Sequence, residues 1–370
     1  MINKISTNNY KPGLDIDFVK KKYNLKKVIK LASNENPLGP SKSALKILEK
    51  SKDNINRYPD GRCDDLKKEI TRFISKSFIK PDNIVIGNGS SEILELVAKA
   101  FLSDKSEVVF SKHSFIVYKL VSNFMNAKIR ESKLITNKSK NFMSSDLDDM
   151  KRKITQKTRV IFLANPANPT GALLSYEAID KFISTLSKRI IIVIDEAYIE
   201  YACMLGHKSC IDLIQKYKNI IITRSFSKIY ALAGVRIGYG LASKEIVSKL
   251  NNKRQPFNVN QIAQQMAIKS LDDKKFLINS LNDYVMCREY LTKELDKLDF
   301  QYIDSYANFI TINFGRSTRT VFNQLLRSGI ILRPLDNYNL SSYLRLTIGT
   351  LKECRAFITS LSEILGKTNV

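Results

Sequence analysis

Between residues 84 and 270, short apolar runs alternate with longer amphipathic segments. Short runs rich in Val and Ile predict strands that are buried on both faces, and amphipathic segments predict helices that cover a sheet. This alternation is typical of an α/β fold with a mostly parallel central sheet. The predicted strands are 83–86, 107–110, 159–163, 190–194, 220–223 and 236–241, and helices are predicted at 91–102 and 176–187.

The pattern changes at residue 273. A long, charged amphipathic helix is predicted to about residue 298, followed by short strands at 308–313, 329–333 and 343–347 and by a final helix. A chain of 370 residues exceeds the size at which one hydrophobic core keeps growing. We therefore predict a large domain at 45–272, a smaller α/β domain at 273–370, and an N-terminal segment at 1–44 that packs with the smaller domain.

The chain is strongly basic, with 60 Lys and Arg against 36 Asp and Glu and a formal net charge of +24. A nucleic-acid or anionic-surface site concentrates such charge on one arm or face. Here the basic residues are spread over the whole length and accompany many Asn and Ile residues, a mixture that indicates A- and T-rich codons. We therefore expect neither a nucleic-acid nor a membrane partner.

The five cysteines, at 63, 203, 210, 287 and 354, include no C-x-x-C pair, which favours a reducing compartment. The chain has no apolar signal core and no uncharged run of membrane-spanning length, so we expect a cytoplasmic protein. Cys203, His207 and Cys210 lie close together in sequence. The chain has only two histidines and no evident fourth ligand, and we predict no metal site.

The segment 223–228 combines hydroxyls with an amine, and Arg236 follows it. The hydroxyls of Ser225 and Ser227 and the guanidinium of Arg236 are groups that bind a phosphate ester. Lys228 lies beside them, and a nearby cation lowers the pKa of a lysine, as Schiff-base formation requires. The segment therefore predicts a pyridoxal-phosphate site at Lys228; an ordinary surface loop is the alternative.

Two further segments end predicted strands with polar side chains. Asp195 ends the run IIIVID, where its carboxylate could pair with a protonated pyridine nitrogen, and Tyr198 follows three residues later. The alternative is that Asp195 caps the next helix. Asn168 lies in NPANPTG at 165–171, a turn that could aim its amide at the phenolic oxygen of the pyridine ring, to which Tyr198 could also donate. The alternative is that this turn only connects a strand to a helix.

The sequence IGNGSSE at 86–92 leads from a strand through two glycines into a helix. The first amides of that helix belong to Ser90 and Ser91, and helix N-termini bind phosphate because unpaired N–H groups and the helix dipole converge there. A dinucleotide-binding fingerprint fails, because Glu92 stands where its third glycine belongs.

With these motifs in this order, the chain resembles the histidinol-phosphate aminotransferases of the aspartate aminotransferase superfamily. The resemblance covers nearly the whole chain. It rests on KLASNENPLGPS at 30–41, YPDG at 58–61, GNGSSEIL at 87–94, NPANPTG at 165–171, IDEAY at 194–198, SFSKIYALAGVRIGY at 225–239, PFNVN at 256–260, ANF at 307–309, ILRP at 331–334 and LRLTIGT at 344–350.

The resemblance implies a homodimeric fold-type-I enzyme whose large domain binds pyridoxal phosphate. Lys228 would form the Schiff base, with Asp195 on the pyridine nitrogen and Phe115 stacked on the ring. Tyr58 would reach the cofactor phosphate of the neighbouring subunit. The implied cofactor-binding residues are Tyr58, Ser90, Ser91, Phe115, Asn168, Asp195, Tyr198, Ser225, Ser227, Lys228 and Arg236.

The resemblance also implies substrate-binding residues, Tyr10, Asn34, Arg333 and Arg345. Arg345 would bind the carboxylate of glutamate or 2-oxoglutarate, and Arg333 with Tyr10 would bind the phosphate of histidinol phosphate. The implied activity is transamination between these two partners. An aromatic-amino-acid aminotransferase or a threonine-phosphate decarboxylase would keep the same cofactor residues. A catalytically idle binding protein would not need Lys228 and Asp195 intact.

Overall fold

The computed structural model describes residues 13–137, 139 and 141–366. The helices, α1 to α14, are Ile16–Tyr23, Lys42–Ser51, Asp64–Ile74, Gly89–Phe101, Ile116–Phe124, Leu147–Arg152, Tyr176–Ser184, Ile199–Met204, Leu213–Lys216, Lys244–Asn251, Gln261–Asp272, Lys274–Lys297, Thr318–Arg327 and Leu351–Ile364. The strands, β1 to β13, are Ile29–Lys30, Ile84–Gly87, Glu107–Ser111, Lys128–Ser132, Thr158–Ala164, Ile191–Asp195, Ile220–Ser225, Gly238–Ala242, Tyr302–Ile303, Phe309–Asn313, Ile330–Ile331, Arg333–Pro334 and Tyr343–Thr347.

A seven-stranded sheet forms the centre of the protein, with the order β2-β8-β7-β6-β5-β3-β4. All neighbouring strands run parallel except β8, which is antiparallel to both β2 and β7. Every residue of β6 and β7 is buried, because apolar clusters pack on both faces of the sheet. The predicted mostly parallel α/β architecture is therefore confirmed.

Two details of the central sheet differ from the prediction. Strand β4 was not predicted, because its sequence KIRES is polar; it lies at the edge of the sheet and is largely solvent-accessible. The last predicted strand begins at Gly238 rather than at residue 236. Arg236 has a φ of 59°, which is incompatible with an extended strand, and it belongs to the preceding loop.

A second, antiparallel sheet has the order β12-β13-β10-β9 and packs against α13; α13 contacts α14, which in turn contacts α12. The strand predicted at 329–333 is two strands: β11 pairs in parallel with β1, and β12 pairs with β13. The chain passes from one sheet to the other at the buried Leu332. The domain boundaries at 44 and 272 stay a prediction, although β1 does attach the N-terminal segment to the C-terminal part of the chain. No helix in the described ranges is long and apolar enough to cross a membrane.

The start of β8 lies close to the start of α4, and Gly238 makes this approach possible. A Cβ atom at Gly238 would lie 2.5 Å from the backbone nitrogen of Ser90 and 2.8 Å from the carbonyl oxygen of Arg224. Both neighbours are backbone atoms of regular elements, so neither can move without displacing its helix or strand. The glycine therefore fixes where the first turn of α4 stands.

We predict that Gly238→Ala lowers the free energy of unfolding by about 1–3 kcal/mol, the usual effect of overpacking a closed site. Urea denaturation measures this change. Gly234→Ala is the matched control, because a Cβ atom at Gly234 meets no atom within 4 Å. Equal stability of the two variants would show that the backbone around Gly238 can move enough to accommodate a methyl group.

Candidate active site

A cleft of about 260 Å³ opens where the strands of the central sheet end and the second sheet faces them. Open α/β sheets place ligand sites at this edge. The structure brings most of the sequence-predicted site residues together here. Those that line the cleft are Asn34, Ser90, Ser91, Phe115, Asn168, Asp195, Tyr198, Ser225, Ser227, Lys228, Arg236, Arg333 and Arg345.

Asp195 is buried at the end of β6 and is held by two hydroxyls. The hydroxyl of Tyr118 donates to Oδ2 at 2.9 Å, and that of Thr223 donates to Oδ1 at 2.9 Å. Burial raises the pKa of Asp195, whereas the two hydrogen bonds act in the opposite direction and favour the carboxylate. Asp195 does not cap the next helix, whose N-cap residue is Tyr198.

Tyr118 was not predicted as a site residue. It lies on α5, one helical turn after Phe115, and its ring stacks on Phe162 with the centroids 4.9 Å apart. The Phe115 ring meets it edge-on at 5.9 Å. The spacing of Phe115 and Tyr118 was visible in sequence, but their proximity to Asp195 depends on the packing of α5 against the sheet.

A buried ion pair lies behind the cleft, and the sequence analysis did not predict it either. Glu196 and Arg224 approach to 2.9 Å, and Glu196 also accepts hydrogen bonds from the hydroxyl of Ser209 and the amide of Cys210. Because Glu196 follows the last residue of β6 and Arg224 belongs to β7, the pair ties together the ends of the two strands that carry Asp195 and Ser225. A buried pair of this kind is costly to break, since one charge would be left uncompensated.

Lys228 lies in the turn after β7, and its Nζ is 3.4 Å from the carbonyl oxygen of Ser33 and 5.6 Å from the ring centre of Tyr198. Burial lowers the pKa of Lys228 to about 8. The positive charge of Arg345 contributes next, and that of Arg236 contributes less. The sequence predicted that a nearby cation such as Arg236 has this effect; Arg345, which is distant in sequence, lowers the lysine pKa more than Arg236 does.

Ser90, Ser91, Ser225, Ser227 and Arg236 form an anion cradle beside Lys228. The guanidinium of Arg236 lies 3.4 Å from the Oγ of Ser227. Helix α4 has no side-chain cap at its N-terminus, which leaves its first amides for another acceptor. A Cβ atom at Gly89 would lie 2.6 Å from the Nη2 of Arg236, so a larger residue there would displace the guanidinium from this position.

Asn34 and Tyr198 are joined across the cleft. The side-chain amide of Asn34 donates to the hydroxyl of Tyr198 at 2.9 Å, and its Oδ1 accepts from the hydroxyl of Thr347 at 3.2 Å. Burial raises the pKa of Tyr198, so its hydroxyl keeps its proton and can donate. Asn34 lines the cleft as predicted, and its side chain is engaged in holding Tyr198.

Arg333 and Arg345 stand directly opposite each other on β12 and β13, which places both side chains on the same face of the second sheet. The guanidinium of Arg345 donates to Oδ1 of Asn168 at 2.6 Å and to the carbonyl oxygen of Ala32 at 2.9 Å. Its centre lies 5.1 Å from the ring of Phe309. These contacts fix Arg345 before any substrate arrives.

Comparison with known proteins shows which family has this architecture. The model of the family described as "Aminotransferase class I and II" matches residues 26–361. The chain belongs to this family.

The similar curated proteins include the histidinol-phosphate aminotransferase of Caldicellulosiruptor saccharolyticus, 38% identical over 96% of this chain and 97% of its own length. That of Moorella thermoacetica is also 38% identical, over 98% of this chain and 92% of its own length. Among solved structures, the histidinol-phosphate aminotransferase of Sinorhizobium meliloti in complex with pyridoxal-5'-phosphate has a TM-score of 0.86 at 22% identity, covering 100% of this chain and 99% of that one. This last likeness shows the fold.

One predicted site residue of the aminotransferase that the structure describes, Tyr58, falls outside the cleft. Tyr58 is 83% exposed, and its ring stacks on Phe257 with the centroids 4.8 Å apart. Tyr10 lies outside the described residues. Within the described ranges no three His, Cys, Asp or Glu side chains are grouped to hold a metal ion, and the ring of His207 packs against Tyr306.

We predict that the amine of Lys228 in the cofactor-free protein titrates near pH 8. Burial and Arg345 disfavour its charged form, so the neutral, reactive amine gains population as the pH rises through this value. Competitive labelling with acetic anhydride, followed residue by residue across pH, measures the midpoint. Arg345→Met should raise the midpoint toward the ordinary value of 10.5.

Arg333→Met is the matched control, because Arg333 lines the same cleft and is not among the charges that shift Lys228. A midpoint that stays near pH 8 in Arg345→Met would show that burial alone depresses the lysine pKa.

Proposed function

We propose that this aminotransferase uses pyridoxal 5'-phosphate to interconvert L-histidinol phosphate and 2-oxoglutarate with imidazole-acetol phosphate and L-glutamate, a reaction of histidine biosynthesis. The observation that carries the proposal is the pair Arg333 and Arg345, which offers two guanidinium groups to one cleft beside Lys228. The two amino donors of this reaction differ in their anionic groups: histidinol phosphate carries a phosphate ester, and glutamate, the donor in the reverse direction, carries a carboxylate. The names of relatives at 37–38% identity over nearly the full chain support it.

The residues of the cleft fit the cofactor. The space kept open by Gly89, the uncapped start of α4 and the serine hydroxyls suit its phosphate, and Arg236 supplies a compensating charge. The Asp195 carboxylate suits a protonated ring nitrogen, and Phe115 and Ala197 line the same cleft and would pack against the ring. When bound, pyridoxal phosphate supplies an electron-poor ring that stabilises negative charge at the substrate α-carbon.

Lys228 is the group that we propose to move the proton. A pKa of about 8 leaves a useful fraction of neutral amine near pH 7 and still allows the amine to return a proton, as a general base and acid must. The hydroxyl of Tyr198, which accepts a hydrogen bond from Asn34, would donate to the oxygen on the cofactor ring. Its raised pKa keeps this donor protonated.

The two arginines would divide the anionic ends of the substrates. Arg345 is fixed by Asn168 and Ala32, which suits bidentate binding of a planar carboxylate. Arg333 is only partly buried, beside Gly13, and would bind the phosphate ester. One cleft can then accept either donor without rearranging its chemical groups.

We predict that Arg333→Ala weakens the histidinol-phosphate half-reaction far more than that of phenylalanine. The expected loss in kcat/KM corresponds to about 1.5–3 kcal/mol, the worth of a hydrogen bond to a charged group. Arg345→Ala should reduce the glutamate half-reaction most. The spectral conversion of the cofactor from its pyridoxal to its pyridoxamine form measures each half-reaction separately.

If Arg333→Ala reduces phosphorylated and unphosphorylated donors equally, Arg333 is structural and the aromatic-amino-acid aminotransferase becomes the better assignment. Release of carbon dioxide from threonine phosphate would identify the decarboxylase instead. If no amino donor is turned over, the result would favour a catalytically idle protein that only binds its ligand.

We further propose that the enzyme is a cytoplasmic homodimer with a shared site. Tyr58 and Phe257 form a stacked aromatic pair, 83% and 47% exposed, and Tyr58 does not line the cleft of its own subunit. A partner subunit would cover this pair and receive the hydroxyl at its cofactor phosphate. All five cysteines are free thiols, as suits a reducing compartment.

We predict that sedimentation shows a dimer and that Tyr58→Phe keeps the dimer but weakens cofactor binding about tenfold or more, because one charge-assisted hydrogen bond is lost. Equilibrium dialysis of the cofactor measures this change. Tyr23→Phe, a partly buried tyrosine on α1, is the control. A monomer, or unchanged affinity in Tyr58→Phe, would contradict the shared site.

A further inference from the structure

Glu92, the residue that breaks the dinucleotide-binding fingerprint, is turned back toward the junction between β2 and α4. It lies in the first turn of α4. Its Oε2 accepts hydrogen bonds from the backbone amide of Asn88, from the side-chain amide of Asn88 at 3.0 Å and from that of Asn258 at 2.9 Å. A Cβ atom at Gly87 would lie 3.1 Å from this oxygen, so the glycine leaves room for the carboxylate. One carboxylate oxygen thus gathers three donors at the start of the helix.

Asn88 is the N-cap residue of α4, yet its side chain makes no capping hydrogen bond. An asparagine at this position usually accepts a hydrogen bond from the second or third amide of the helix, which here belong to Ser90 and Ser91. The side-chain Nδ2 of Asn88 donates instead to Glu92 and, at 2.8 Å, to the carbonyl oxygen of Asn258. These two bonds turn the side chain away from its own helix, and the amides of Ser90 and Ser91 stay available.

The same asparagine is connected to the anion cradle. The backbone carbonyl oxygen of Asn88 accepts a hydrogen bond from the guanidinium of Arg236 at 3.4 Å. On the other side, Asn258 is itself fixed, because its Oδ1 accepts from the guanidinium of Arg254 at 2.6 Å. Asn88 therefore lies between a fixed partner and a cationic residue of the cradle, and Glu92 binds both of its N–H groups.

We propose that Glu92 is a positioning residue for the cofactor phosphate: by holding the side chain of Asn88, it keeps the first amides of α4 uncapped. The inference rests on the proposed binding of that phosphate at the start of α4. The negative charge of Glu92 by itself disfavours an anion nearby. The hydrogen bonds of Glu92 act in the opposite direction, because an asparagine that is free to cap its helix would compete with the phosphate for the same amides.

Equilibrium dialysis of the full-length protein against pyridoxal 5'-phosphate and against pyridoxal, which lacks the phosphate, tests the proposal. Glu92→Ala should weaken the binding of pyridoxal phosphate about fivefold to tenfold, the usual worth of an N-cap hydrogen bond, and leave the binding of pyridoxal unchanged. Glu92→Gln should keep most of the affinity, because its amide oxygen can still accept from Asn88. Tighter binding of pyridoxal phosphate by Glu92→Ala would overturn the proposal, since the charge would then be the dominant effect.

A second substitution separates positioning from a general role in stability. Asn88→Ala removes the side chain that would cap the helix in the absence of Glu92. Added to Glu92→Ala, it should therefore restore most of the lost affinity for pyridoxal phosphate. If the combined variant binds pyridoxal phosphate no better than Glu92→Ala alone, competition by Asn88 is excluded and the proposal fails.

Glu95→Ala is the matched control, because Glu95 lies on the same helix, is paired with Lys99 at 2.6 Å and does not line the cleft. It should keep the native preference for pyridoxal phosphate over pyridoxal, and thermal unfolding should show that all variants are folded. Arg236→Met tests the phosphate site itself. If Arg236→Met leaves the preference unchanged, the proposed cradle is wrong and the role of Glu92 falls with it. If Arg236→Met lowers the preference and Glu92→Ala does not, only the role of Glu92 is overturned.

Discussion

The buried guanidinium of Arg345 connects the separate parts of the active site. It donates to Asn168 in the turn after β5 and to Ala32 in the N-terminal segment, and it lies over the ring of Phe309. Its charge also helps to lower the pKa of Lys228. A buried cation is costly unless it is hydrogen-bonded. The contacts that satisfy Arg345 therefore hold the second sheet, the N-terminal segment and the central sheet in one arrangement around the lysine.

The remaining charges of the cleft are separated by function. Asp195 is buried at the end of β6 and accepts hydrogen bonds from two hydroxyls, whereas Arg236 lies beside Ser227 and the start of α4. Lys228 lines the same cleft and has a pKa of about 8. The cleft thus supplies a carboxylate, an anion cradle and an amine with a lowered pKa, and the proposed cofactor would need one of these groups for its ring nitrogen, one for its phosphate and one for its reactive carbon.

Much of this arrangement could be predicted from the sequence because it depends on local rules. Asp195, Ser225 and Ser90 each follow an apolar strand or begin a helix, and the ends of neighbouring parallel strands meet at one edge of a sheet. Tyr118 could not be found in this way. Its hydroxyl reaches Asp195 only because α5 packs on the sheet, and the edge strand β4 was missed because its residues are polar.

The sequence by itself determined the α/β class, the positions of the buried strands, and the residue types gathered around Lys228, because each follows from short-range periodicity or from a motif. Only the tertiary structure decided which charge acts on which group. Arg345 lies more than a hundred residues from Lys228, yet it perturbs the lysine more than Arg236 does. Electrostatic interactions depend on distance and burial in space, and neither quantity is written in the order of residues along the chain.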